Sequence, residues 1–246
     1  MAPTSLSERL ERERQHGYAI LEQDERNWGW QTPAGEVRRQ RRLDWLTRGL
    51  EHARGPILEV GAGTGTFTRG LTERLVSLEA IDISEPLLEV ARTRCPQVTF
   101  RRMDAHALEY PDGHLEAIVG CSVLHHLDWD RALKGFHRKL RGGGMLRFSE
   151  PNLLNPQIFL QKNVPWLKRR AGDSPDEYAF TARQFRRSLE RAGFIDIEVR
   201  PFEFLHPATP PRWIPLVVRL EEHLSRTPLR AIAGSLLIAA RKAEPA

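Results

Sequence analysis

The sequence predicts an α/β protein, a doubly wound and mostly parallel sheet with helices on both faces. Three observations carry that reading. Residues 57–68 form a short apolar run, then glycines at 61, 63 and 65, then a helix-like pattern. That is the outline of a buried strand, a tight turn and a helix start. Downstream, strand-like and helix-like segments alternate in a βαβα rhythm, which calls for parallel strands between covering helices. Finally, acids fall at or just before three successive expected strand ends: Glu59, Asp82 and Asp104. In such sheets the ligand lies beyond the carboxyl ends of the strands.

Taken in order, residues 1–26 are highly charged with few apolar anchors and read as a frayed or helical arm. Trp28, Trp30, Pro33 and Gly35 then sit in a turn-like context. Val37, Leu43, Leu46 and Leu50 give helical spacing to about Ala53, with Arg38, Arg39, Arg41 and Arg42 among them. Two readings fit this stretch. It is a lid whose aromatics cover a ligand and whose Arg38 or Arg42 grips a carboxylate, or it is a packing helix with a basic outer face.

After the glycine turn, residues 75–83 read as a second strand and 85–94 as a helix, which Pro96 stops. Residues 98–103 are a third strand and 115–122 a fourth. Residues 129–140 read as a helix closed by Gly142, Gly143 and Gly144. A fifth strand covers 145–149. Residues 151–179 break the rhythm; they are rich in Pro and Asn and mix Ile158, Phe159, Leu160, Trp166 and Leu167 with Lys162, Lys168, Arg169 and Arg170. This is an insertion over the mouth of the sheet. It either touches a membrane or a lipid-like substrate, or simply closes the substrate pocket. Thr181 is the expected N-cap of a helix running to Ala192, with Gly193 as C-cap. Residues 194–202 are a sixth strand, Pro207, Pro210 and Pro211 mark a loop, 213–225 have helical spacing, and 235–240 are a last strand.

At 246 residues, 28% charged and 40% hydrophobic, the chain suits one large globular α/β domain. No apolar run approaches the roughly 20 residues that span a bilayer. The polar N-terminus does not resemble a secretory signal. Cys95 and Cys121 are the only cysteines, which argues against a disulfide scaffold and fits a reducing cytoplasm. No Cys/His spacing suggests a metal site. The net charge of +5 suits nucleic acid, an anionic membrane face or an acidic substrate as partner; it is largely arginine scattered along expected helix faces, which a solvated surface explains at least as well.

The glycine spacing discriminates between ligands. A dinucleotide fingerprint wants glycines at the first, third and sixth places. Here the sixth place is Thr66, and Glu59 stands two residues before the first glycine, where a carboxylate suits a cation better than a phosphate. The pattern Glu-x-Gly-x-Gly-x-Gly resembles the first motif of class I S-adenosylmethionine (SAM)-dependent methyltransferases. Residues 116–127, with Val123-Leu124-His125-His126-Leu127, and 139–150 resemble the fourth and fifth strand regions of the ubiquinone/menaquinone methyltransferase-like branch. The usual proline before the glycine pair is replaced by Gly142.

That resemblance implies a seven-stranded sheet with an antiparallel last strand inserted between its neighbours, a Rossmann-like methyltransferase fold. It implies an N-terminal arm or lid over 1–42, a SAM-binding domain over 43–246 and a cap insertion at 151–180. Glu59, Gly61, Ala62 and Gly63 would hold the methionine part of SAM, and Cys121 would lie against it through its backbone. Asp82 and Ile83 would hold ribose and flank adenine, and Asp104 and Ala105 would read adenine. Arg38 is a further candidate contact to the donor. His125 and His126 are the candidate catalytic residues, since histidine titrates near neutrality; a base is needed only if the acceptor is protonated. Methyl transfer otherwise needs in-line alignment and exclusion of water. No metal is implied.

The expected acceptor is a small or lipid-linked molecule, methylated at oxygen, nitrogen or carbon, with peripheral membrane contact a further expectation. Nucleic acid is disfavoured: no Asn/Asp-Pro-Pro-aromatic run follows the fourth strand, and Gly120 precedes Cys121 where cytosine C5 methylation would want proline. Two rivals stand beside this reading, a nicotinamide-dependent oxidoreductase on a related fold and a non-catalytic SAM-binding protein.

Overall fold

The structure, a computed structural model, describes residues 29–170 and 178–244. The charged arm expected over 1–26, Trp28 and part of the insertion lie outside the described residues. The strands are β1 (Ile57–Val60), β2 (Leu78–Asp82), β3 (Thr99–Arg102), β4 (Leu115–Cys121), β5 (Leu140–Pro151), β6 (Ile195–Phe202) and β7 (Ser235–Arg241). They form one sheet in the order β3-β2-β1-β4-β5-β7-β6. Neighbours from β3 to β5 are parallel, whereas β7 runs antiparallel to both β5 and β6. The predicted fold class and the inserted antiparallel strand are therefore present.

Every residue of β1 is buried, as expected of a central strand covered on both faces. Helix α1 (Pro33–Thr47) lies on one face, followed by the short α2 (Thr68–Thr72). Trp45 and Leu46 of α1 pack with Ile57, Leu71 and Val119, and Trp45 Nε1 donates to the Phe148 and Ile238 carbonyls at 3.2 and 3.3 Å. Burial of each such side chain is worth about 1.5–3 kcal/mol. Leu88 and Ala91 of α3 (Glu85–Arg94) pack with Ala80 and Phe100 of β2 and β3. Helix α4 (Trp129–Lys139) and helix α7 (Ala182–Arg191) contribute Phe136, Phe185 and Leu189 to the other large core cluster. Between them in sequence lie α5 (Pro156–Asn163) and α6 (Pro165–Arg170), in the segment expected to form a cap, and α8 (Ile214–Leu224) lies in the excursion from β6 to β7. Among the described residues, no helix is long and apolar enough to cross a membrane.

Element boundaries differ from the sequence expectation in several places, among them the end of α1, which stops at Thr47 rather than near Ala53. Helix α1 starts at Pro33, because Thr32 caps it by accepting the Gly35 N–H at 2.9 Å and proline at the first turn sacrifices no hydrogen bond. The boundary expected at 42/43 thus falls inside one helix. Leu75 completes the turn after α2, its N–H reaching the Leu71 carbonyl at 2.9 Å, so β2 begins only at Leu78. The glycines at 142–144 do not close α4. They lie within β5, where the pairing jumps from Leu115↔Leu140 to Ala117↔Met145 and the extra residues bulge out. The cap contains two helices where only an irregular insertion was expected. By contrast, Thr181 caps α7 with a reciprocal bond from Gln184, and Gly193 follows at φ 91°, as predicted.

Candidate active site

Strands β1, β2, β3 and β4 end at the floor of a cavity of about 860 Å³. All twelve sequence-predicted site residues line it: Arg38, Glu59, Gly61, Ala62, Gly63, Asp82, Ile83, Asp104, Ala105, Cys121, His125 and His126. The physical cause is the parallel pairing of β1 to β5, which brings the carboxyl ends of these strands to one edge.

The glycine turn is held by β2. Gly61 and Ala62 N–H groups donate to the Ile81 carbonyl at 2.9 and 3.0 Å. The Asp82 carboxylate accepts the Gly63 N–H through Oδ2 at 2.8 Å and the Ser84 N–H through Oδ1 at 2.9 Å. Burial raises the Asp82 pKa, and those two bonds work against the rise. Gly61 sits at φ 75°, and a Cβ there would collide with the Val123 side chain. Gly63 sits at φ 53° and faces open space. A side chain is thus excluded at Gly61 by packing, whereas Gly63 leaves its backbone open to the cavity.

Beneath the turn, Glu59 is 2% exposed and its Oε2 has no hydrogen-bond partner. Burial pushes its pKa up to about 8; the Thr68 hydroxyl opposes that and the Asp82 charge adds to it. An orphaned, deeply placed acceptor beside a second acid is a poor seat for a phosphate and a good one for a cation. The SAM donor carries such a cation, so the residues present fit the group.

Asp104 is organised by a residue that sequence reasoning missed. Its Oδ1 accepts the His106 N–H at 2.8 Å and lies 2.7 Å from His106 Nδ1. His106 Nε2 accepts the Asp128 N–H at 3.0 Å, which puts the ring proton on Nδ1. These bonds hold the Asp104 pKa below the usual carboxylate range against the opposing effect of burial.

On the other side, Ser122 takes φ 56° directly after β4. A non-glycine residue in that region is strained by about 1–3 kcal/mol. The turn is stabilised by Glu150, 1% exposed at the end of β5. Its Oε1 accepts the Val123 and Leu124 N–H groups, each at 2.9 Å, and its Oε2 lies 2.8 Å from His125 Nδ1. The His125 and His126 rings are 4.2 Å apart. Burial pushes the half-buried Cys121 thiol up to about 12, with Arg42 pulling the other way, which favours the neutral form.

The N-terminal helix forms the remaining wall. Trp30 meets Phe67 edge-on at 5.2 Å. Arg38 lines the cavity, and its Nε donates to Glu203 Oε2 at 2.7 Å. Arg42 is 3% exposed, bridges Glu203 Oε1 at 2.9 Å and Ser235 Oγ at 2.7 Å, and does not line the cavity. The carboxylate these arginines grip is thus the protein's own. Glu150 and Glu203 were overlooked as site residues. Both follow or end an expected strand, so the signal that found Asp82 was present for them too.

This sheet order, with its antiparallel last strand inserted between β5 and β6, is that of the Rossmann-like methyltransferase fold. Within this seven-stranded sheet the chain matches the family model of a methyltransferase domain over residues 57–144. It is 34% identical over 104 residues to an uncharacterized methyltransferase of Mycobacterium tuberculosis, a match covering 42% of each chain. A demethylmenaquinone methyltransferase of Thermus thermophilus is 31% identical over 143 residues, 51% of this chain and 65% of that one. The matched segments therefore span less than two thirds of those relatives. Among solved structures, a SAM-dependent methyltransferase from Thermotoga maritima superposes with a TM-score of 0.69 at 18% identity, covering 93% of this chain and 99% of that one. That likeness is one of fold.

Proposed function

We propose that the chain is a SAM-dependent methyltransferase acting on a small-molecule or lipid-linked acceptor. The observation that carries the reading is the Asp82–Gly63 bond above the orphaned Glu59 Oε2. The turn's inward N–H already serves a carboxylate, so the floor is electron-rich where a dinucleotide fold would receive pyrophosphate on free N–H groups. That disfavours the nicotinamide alternative. SAM, when bound, supplies an activated methyl group on a sulfonium.

In this reading Glu59 and the Gly61–Gly63 backbone hold the methionine part, and Cys121 flanks it through its main chain. Asp82 accepts from ribose hydroxyls with its remaining lone pairs, Ile83 flanks adenine, and Asp104 and Ala105 read it. Arg38 spends Nε on Glu203 and offers its other N–H groups to a ligand carboxylate. His125, with its Nδ1 proton directed at Glu150, places its lone pair on Nε2, the form a general base requires; His126 stands beside it as the second candidate. The acceptor end is lined by Trp30, Ile158, Phe204 and Leu205 together with Gln157 and His206, a mixed wall that suits an amphiphilic small molecule better than a polynucleotide.

Calorimetric titration with SAM, S-adenosylhomocysteine and NADH tests the assignment. Binding of the first two and not the third is expected; binding of NADH alone overturns it. A protein that merely holds the donor would keep the same cradle, and methyl transfer to any member of an acceptor screen separates that case.

A further inference from the structure

Twelve large hydrophobic side chains are exposed among the described residues, and ten of them fall in two segments. Leu154, Phe159, Leu160, Trp166 and Tyr178 belong to the cap; Trp213, Leu216, Leu220, Leu229 and Ile232 belong to the excursion between β6 and β7. The segments are joined. Asn152 Nδ2 donates to the Ala231 and Ala233 carbonyls at 2.9 and 2.7 Å, and Asn155 Nδ2 to the Ile232 carbonyl at 2.9 Å. Helix α5 buries no residue fully, and α8 buries only Glu221, which Arg41 pairs. Helices that hide nothing in their own core, yet carry Phe, Leu and Trp, are built to cover something else.

The charge around them says what. Arg169, Arg212, Arg219, Arg226 and Arg230 are exposed, against one exposed acid, Glu222, in residues 152–170 and 211–232. We propose that the cap and the β6–β7 excursion form one surface that seats the protein on an anionic lipid bilayer. Aromatic and leucine side chains flanked by arginines match the interfacial zone of such a membrane. A second copy of the chain fits less well, because a self-complementary interface would bring like arginines together. Helix α5 is the link to the cavity. Gln157, Ile158, Gln161 and Lys162 line it, while Phe159 and Leu160 point the other way, 51% and 52% exposed. Seating α5 on lipid places the cavity wall one helix from the bilayer. Only that last consequence, delivery of an amphiphilic acceptor, rests on the methyltransferase reading.

The test uses the full chain and sedimenting vesicles of phosphatidylcholine with or without phosphatidylglycerol. Partition at least about tenfold greater onto the anionic vesicles, falling with added salt, is expected. The pair Phe159→Asp and Trp166→Asp, and separately Arg212→Glu with Arg219→Glu, should each abolish most of that partition while S-adenosylhomocysteine binding by calorimetry stays unchanged. Equal partition onto both vesicle types, no partition at all, or indifference to both variant pairs overturns the proposal. So does a concentration-dependent dimer that the aspartate pair dissolves. Vesicle binding by a protein that fails to bind S-adenosylhomocysteine would sink the functional reading and leave the docking surface standing.

Discussion

Glu150 of β5 and His125 of the turn after β4 form a buried pair, Oε2 to Nδ1 at 2.8 Å, while Oε1 of the same carboxylate holds the Val123 and Leu124 N–H groups. One side chain therefore fixes both the strained turn and the ring that projects from it. Replacing Glu150 with alanine orphans two backbone donors and one ring donor. A loss of about 3 kcal/mol is expected at roughly 1–3 kcal/mol per unsatisfied group with partial relaxation, read from the urea midpoint. Replacing His125 with alanine leaves the two backbone bonds in place. If His125 is the base, turnover falls by about 10²–10⁴ with little change in donor affinity; near-normal turnover on the true acceptor would remove it from the mechanism.

Asp82 clamps the glycine turn through the Gly63 and Ser84 N–H groups, and in the proposed assignment it also holds the donor's ribose. Asp82→Ala should weaken SAM binding by about 1–3 kcal/mol through lost hydrogen bonds to a charged group. Because the Gly63 and Ser84 N–H groups lose their acceptor as well, the variant should also melt earlier than Asp82→Asn, which keeps one acceptor oxygen. Calorimetry and thermal melts of the two variants check this, and unchanged affinity in both would mean that ribose lies elsewhere.

If Glu59 holds the donor's cation, donor affinity should depend on pH. Its pKa is raised to about 8 in the folded protein, above the ordinary carboxylate value, so the protonated form is favoured by folding. Its contribution to stability is fully present at low pH and is lost as pH rises through about 8. Binding of a cation has the opposite preference, for the ionised form. Affinity for SAM should therefore increase from pH 6 and level off above pH 8, with proton release on binding at neutral pH. Calorimetry in buffers of different ionisation enthalpy measures that release, and Glu59→Gln should abolish both effects.

The first two turn glycines should respond differently to alanine. Gly61→Ala meets Val123 as well as an unfavourable φ, so it should lose both stability and donor binding. Gly63→Ala meets nothing; it should lose about 1–2 kcal/mol to its left-handed backbone and show a larger defect in donor affinity than in melting temperature. Equal defects in the two variants would contradict the open face assigned to Gly63.

The strand–turn–helix at 57–68, the acids at successive strand ends and the cap of α7 are all legible in the residues, because each depends on near neighbours: apolar period, glycine freedom, side-chain capping. The sequence alone thus determined the fold class and a floor of candidate residues that the parallel sheet gathers at one edge. Only the tertiary structure decided which charges serve the protein itself. Arg42 pairs with Glu203, 161 positions away, Glu150 with His125, and Asp104 reaches the start of α4 through His106. Such pairings join distant segments and have no local period to betray them. The same holds for the exposed apolar face, since hydrophobic residues in the cap read identically whether they close a pocket or cover a surface until the packing assigns them a side.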